Sequence, residues 1–185
     1  MSLPYGLLGL LGYQESTGYE LAKIFEDSLN NFWHAQASQI YRELNRLEEK
    51  GWVTSTNVIQ SNRPNKRVYS VTLQGREAFE TWLGEGDVIR ENPHSNLLMR
   101  IFFGASNHEV TLERLKTYRD NLNAALAESV QKTQAKIDSY KVSMPDGDKE
   151  SLYWQMTLDY GINQAKADVV WVEECIKKIE KELKL

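Results

Sequence analysis

Between Ser38 and Trp52 the chain reads SQIYRELNRLEEKGW. At the 100° per residue of a helix, Ile40, Leu44 and Leu47 share one face, Ser38, Arg42, Asn45, Arg46 and Glu49 share the other, and Gln39 lies at its edge. Arginine, asparagine and glutamine on one exposed helical face are the side chains that make bidentate hydrogen bonds to guanine and adenine edges in a major groove. The same residues also fit a plain solvated face, with Glu43, Glu48 and Glu49 balancing the bases. Other chemistry is poorly served. His34, His94 and His108 stand far apart without partners at metal-ligand spacing. There is no phosphate-binding glycine loop and no nucleophile elbow. Asp146 and Asp148 are acidic enough for calcium, but the twelfth loop position is Thr157 instead of glutamate, so MPDGD reads as a turn. No catalytic residue, metal site or cofactor is expected, and the chain is not expected to be an enzyme.

The elements around this stretch decide between the two readings. Ser38 is the expected N-cap and Gly51 the left-handed terminator, giving a helix of about three turns. Before it, Leu3 to Tyr13 reads as a short buried helix with Pro4 in its first turn. Thr17-x-x-Glu20 is a capping box that opens a second helix to about Leu29, burying Leu21, Ile24, Phe25 and Leu29. Phe32 and Trp33 are expected to anchor the corner into the third helix. After Gly51, WVTSTNVIQ and KRVYSV are rich in β-branched residues and flank the turn formers SNRPN, so a hairpin is expected. Its tip carries Arg63, Lys66 and Arg67 around Pro64. A charged tip can be a solubility device, but after a helix with a polar reading face it suits a wing that reaches phosphates or the minor groove. Thr72 then caps a helix whose apolar stripe is Phe79, Trp82 and Leu83. Three helices, a hairpin and a helix make the winged helix-turn-helix order.

Tyr19-Glu20-Leu21, IYRELNRLEEKGW from Ile40, the basic proline tip and YSVTLQGREAF from Tyr69 resemble, as a set, the PadR-like transcriptional regulators. The resemblance covers about the first 83 residues. The helical remainder is similar to the C-terminal domain of the longer members, which include the phenolic-acid-decarboxylase repressor and virulence-gene activators. The resemblance implies a homodimer whose third helix enters the major groove of double-stranded DNA. By motif match, Tyr41, Arg42 and Arg46 would be recognition-helix contacts, and Arg63, Lys66 and Arg67 wing contacts. Together with the polar face, the candidate DNA-binding set is Ser38, Gln39, Tyr41, Arg42, Asn45, Arg46, Arg63, Lys66 and Arg67.

The second half reads differently. GEGDVIRENPH, within residues 84–95, suits a linker between a winged-helix domain over 1–83 and a helical domain over 96–185. Asn96 to Phe103 is a short helix too apolar to stand exposed, expected at the domain junction. Two long helices follow, from about Ser106 to Val142 and from about Lys149 to Leu185, separated by the SMPDGD turn. The fold class is therefore mainly α with a small β-hairpin: a winged helix-turn-helix, then a long-helix antiparallel dimerisation domain. Apolar stripes about 50 Å long exceed what one such pair can bury, so a second copy is the expected partner. Aromatics are abundant there. Core packing accounts for most of them, and Trp82, Phe102, Phe103, Trp154 and Tyr160 are candidates for holding a small phenolic or other aromatic effector, the inducer class known for similar regulators.

Composition agrees. The net charge of −4 hides a block of +4 from Ser38 to Arg76 and −8 elsewhere, and it is the local block that meets a polyanion. No apolar run approaches the roughly 20 residues of a membrane span. The leucine-rich start lacks a basic leader and a cleavage site, and the single Cys175 cannot build a disulfide framework, so a cytoplasmic protein is expected. The expected function is a sequence-specific regulator, of repressor type, on an inverted-repeat operator. The alternatives are a winged helix that binds protein, and a ligand-binding bundle without DNA binding.

Overall fold

The computed structural model describes residues 2–29, 32–59, 66–86 and 95–183. The expected wing residue Arg63, the hairpin tip around Pro64 and most of the expected linker, 87–94, lie outside the described residues. The chain forms two compact units, Met1–Arg90 and Glu91–Leu185.

The first unit contains α1 (Leu3–Tyr13), β1 (Ser16–Thr17), α2 (Gly18–Ser28), α3 (Ala37–Glu49), β2 (Val53–Val58), β3 (Lys66–Val71) and α4 (Leu73–Gly84). Its core joins Leu7, Leu8 and Leu11 of α1, Leu21 and Phe25 of α2, Ile40, Leu44 and Leu47 of α3, and Val53 and Tyr69 of the sheet. Ile40, Leu44 and Leu47 are 1%, 0% and 0% exposed, and each such side chain contributes about 1.5–3 kcal/mol by leaving water. Turning α3 about its axis would forfeit that burial, so the inner face fixes which residues look outward.

The capping box at Thr17 forms as expected. Glu20 N–H donates to Thr17 Oγ1 at 3.2 Å, and Thr17 N–H donates to Glu20 Oε2 at 2.9 Å. Gly51 has φ +72, the left-handed conformation expected of it. The cap of α3 departs from expectation. The helix begins at Ala37 with Gln36 as N-cap, so Ser38 sits inside the first turn. Gln36 N–H donates to the Gln39 side chain at 2.8 Å, the reach-back half of a capping box, and this outcompetes a serine cap two residues later.

The sheet has a strand that the sequence reading lacked. β1 pairs antiparallel with β3, Ser16 opposite Tyr69 and Thr17 opposite Val68, giving the order β1-β3-β2. Two residues carry no alternation from which a strand could be read. β2 and β3 pair from Val53 opposite Val71 to Val58 opposite Lys66, as the hairpin requires. Trp33 packs on the core, but Phe32 is 52% exposed and anchors nothing there.

The second unit contains α5 (Asn96–Phe102), a 3-10 turn (Gly104–Ser106), α6 (His108–Ser143) and α7 (Gly147–Leu183). At 36 and 37 residues, α6 and α7 are each about 55 Å long. They pair over a core of Leu112, Leu115, Val172 and Ile176, with Ile101 and half-buried Cys175 against it. Across the pair the Tyr118 hydroxyl donates to Asp168 Oδ2 at 3.3 Å and Lys116 Nζ meets Glu180 Oε1 at 2.9 Å. Leu152, Met156, Tyr160 and Val170 of α7 remain more than half exposed, as do Leu98, Met99, Phe102 and Phe103 in and after α5. The second group was expected to be covered; within its own unit it is not. Among the described residues no helix is long and apolar enough to cross a membrane.

Candidate nucleic-acid interface

The outer face of α3 presents Ser38, Gln39, Tyr41, Arg42, Asn45 and Arg46, all exposed. Six polar residues from two turns therefore form one surface, positioned by three leucine-type anchors beneath it. Arg42 makes no ion pair among the described residues. Arg46 Nη1 lies 3.3 Å from Glu43 Oε2, an exposed pair one helical turn apart that holds the side chain only weakly. Tyr41 is placed by the neighbouring helix: a Cβ on Gly18 would come within 2.4 Å of its ring, so α2 must present a bare backbone for Tyr41 to lie there.

The described base of the hairpin brings Lys66 and Arg67 beside the two helices. Lys66 Nζ stands 3.8 Å from Glu20 Oε1, on the residue that caps α2. Arg67 is held more closely. Its Nε donates to Ser55 Oγ at 2.9 Å, its guanidinium forms an ion pair with Glu48 of α3, and it lies 5.1 Å over the Tyr69 ring. The Ser55 hydroxyl donates in turn to Glu48 Oε1 at 2.5 Å. Lys50 sits 4.7 Å over the Trp52 ring at the end of α3. The interface thus joins a polar helix face to a basic strand pair.

Tyr19, in the first turn of α2, is 72% exposed. Glu48, expected only to balance charge, is instead a tether between helix and hairpin. The Ser55 hydrogen bond, then Arg67, hold its carboxyl below the ordinary value of 4.5 against the opposing effect of burial. Glu20 is likewise lowered, first by the Thr17 backbone N–H. Both carboxylates therefore contribute stability above about pH 4.5 that is lost as pH falls through their lower folded values. Unfolding free energy measured between pH 6 and pH 3 should fall over that range, and Glu48→Gln should flatten part of the decline; a variant with the same profile as the parent would remove Glu48 from the account.

The five aromatic effector candidates are not gathered in one unit. Trp82 belongs to the first, where it stacks on Tyr5 with centroids 4.9 Å apart. Phe102 and Phe103 pack edge to face at 5.0 Å, Trp154 packs on Tyr140 at 6.2 Å, and Tyr160 is exposed. A cavity of about 340 Å³ lies between α5, the 3-10 turn and α6, lined by Leu97, Ile101, Phe103, Val110, Arg100 and Arg114 among others. Of the five, Phe103 alone lines it. Among the described residues no group of three or more His, Cys, Asp or Glu could hold a metal ion.

Residues 7–81 match the model of the transcriptional regulator PadR-like family, and residues 94–180 match that of the virulence activator alpha C-terminal domain. A probable transcriptional regulator of Mycobacterium tuberculosis is 30% identical over 190 residues, covering 97% of this chain and 98% of its own. The negative transcriptional regulator PadR of Bacillus subtilis, solved in complex with operator DNA, superposes with a TM-score of 0.80 at 27% identity, covering 97% of this chain and 99% of that one. The same Bacillus subtilis protein in complex with p-coumaric acid gives 0.74 at 25% identity, covering 97% and 99%.

Proposed function

Because the chain belongs to the PadR-like family of transcriptional regulators, we propose that it is a sequence-specific DNA-binding repressor that acts as a homodimer on an inverted-repeat operator. The observation that carries the reading is the outer face of α3, where Arg42, Asn45 and Arg46 stand exposed above a fully buried inner face. Base readout falls to Ser38, Gln39, Tyr41, Arg42, Asn45 and Arg46. Lys66 reaches phosphate, Arg63 is assigned to the wing with it, and Arg67 belongs to the wing base. The exposed stripe of α7 meets a second copy, and the two recognition helices then address half-sites about one helical turn apart. The cytoplasm is where such a protein meets its operator, and the reading assigns it no catalytic step.

Selection of bound sequences from random duplexes tests this directly; a chain that enriches no sequence would sink it. On the selected site Arg42→Ala is expected to cost about 1–3 kcal/mol and to relax base preference at one position. Lys66→Ala should weaken all duplexes alike and reduce the salt slope by about one. A duplex-binding assay with Arg42→Ala at parental affinity would show that the reading face is misassigned.

A small aromatic acid fits the second unit. The α5–α6 cavity combines Phe103 and aliphatic walls with two arginines, chemistry suited to a ring bearing a carboxylate. The Bacillus subtilis relative was solved with such a compound. Titrating phenolic acids into the operator complex tests the effector; undiminished binding at saturating acid would exclude this class.

A further inference from the structure

We propose that Arg67 is a positioning residue of the wing instead of a phosphate ligand: with Ser55 and Glu48 it latches both hairpin strands to the last turn of α3 and sets the angle between recognition helix and wing. The inference rests on the DNA-binding reading above. Three elements meet in it. Glu48 lies in the last turn of α3, Ser55 in β2 and Arg67 in β3. The ladder places Ser55 opposite Tyr69 and Asn57 opposite Arg67, so Ser55 and Arg67 are diagonal neighbours on one face of the hairpin.

The hydrogen bonds close a ring. Ser55 Oγ donates to Glu48 Oε1 at 2.5 Å and accepts from Arg67 Nε at 2.9 Å, and Arg67 Nη2 donates to Glu48 Oε2. Both carboxylate oxygens and the inner edge of the guanidinium fork are thereby spent. The Tyr69 ring beneath the guanidinium holds its plane. A phosphate approaching Arg67 would find only its outer N–H groups, on a guanidinium whose charge the Glu48 carboxylate already balances. Lys66 differs in this respect, since its ammonium stands 3.8 Å from a glutamate that Thr17 already engages. A loosely held point charge suits phosphate; a locked fork suits geometry.

The latch and the phosphate ligand predict opposite signs for one substitution. Glu48→Gln removes a negative charge beside the DNA and frees Arg67, so a phosphate-ligand Arg67 would bind duplex more tightly. A latch would lose operator affinity. The experiment compares the full-length parent with Glu48→Gln, Ser55→Ala, Arg67→Ala and the Glu48→Gln/Arg67→Ala double variant, on the selected operator and on random duplex over a salt series, with circular dichroism confirming the fold of each. Each single variant is expected to lose about tenfold on the operator, Ser55→Ala and Arg67→Ala with the salt slope retained, and the double variant to be no weaker than Arg67→Ala. Ser55→Ala alters no charge and stands in should Arg67→Ala fail to fold. A slope reduced by about 0.9 in Arg67→Ala, or tighter binding by Glu48→Gln, would overturn the latch. If Arg42→Ala loses the operator while all latch variants keep it, the latch alone fails; a parent without preference for any duplex would overturn the regulator reading as well.

Discussion

Gly75→Ala is expected to destabilise the first unit by about 3 kcal/mol, although alanine is the better helix former by about 1 kcal/mol. Position 75 lies in the first turn of α4, and a Cβ there would come 2.1 Å from the Trp52 carbonyl oxygen and 2.9 Å from Val71 Cγ2. The oxygen cannot swing aside. It accepts the Thr72 N–H at 3.0 Å, while Trp52 N–H donates to the Leu47 carbonyl at 2.9 Å. Thr72 in turn caps α4 through the Gly75 N–H at 3.1 Å and donates to the Gly51 carbonyl at 2.7 Å. A methyl group therefore separates α4 from the junction of α3 and β2, and the steric cost outweighs the gain in helix propensity. Urea unfolding of the full chain, followed by the tryptophans of the first unit, measures the difference. A Gly75→Ala protein as stable as the parent would mean that α4 can shift without loss, and the tight junction would have no energetic weight.

A chain ended after Gly84 is expected to be monomeric and to lose on the order of a thousandfold in operator affinity, since one recognition helix reads only a half-site. The first unit has its own core from Leu7 through Tyr69, so the truncated chain should fold. What it lacks is α7, whose Leu152, Met156, Tyr160 and Val170 stand uncovered in the single chain. Those residues recur at helical spacing along one long element, and apolar surface of that extent is removed from water by a second copy. Sedimentation of the truncated and full-length chains gives the oligomeric state, and titration on the selected operator gives the affinity. A truncated chain that still dimerises would move the association surface into the first unit and leave the long helices without the proposed role.

Much of this architecture could be read from residues. The Thr17 capping box, the Ile40-Leu44-Leu47 stripe and Gly51 are local signals, each acting within about four residues of itself, and they mark the same helices in the folded chain. The alternation around the proline tip marks the hairpin in the same way. Where competing local signals lie close together, the structure chooses between them: Gln36 and Gln39 cap α3 although Ser38 is the commoner cap type. Phe32 is apolar but exposed, because a corner residue is covered only if the packing of two helices happens to reach it.

The outward face of α3 was determined by sequence alone, since the 3.6-residue period and three apolar anchors leave one orientation that keeps them from water. Tertiary structure decided what the surrounding charges do. Arg67 and Lys66 are equivalent in the sequence, one residue apart in a basic run. Folding brings a glutamate 19 residues away onto Arg67 and leaves Lys66 with a looser partner on another helix. β1 arose in the same way, from Ser16 and Thr17 meeting Tyr69 and Val68 across more than 50 residues. Such pairings depend on where distant segments come to rest, and no local period encodes that.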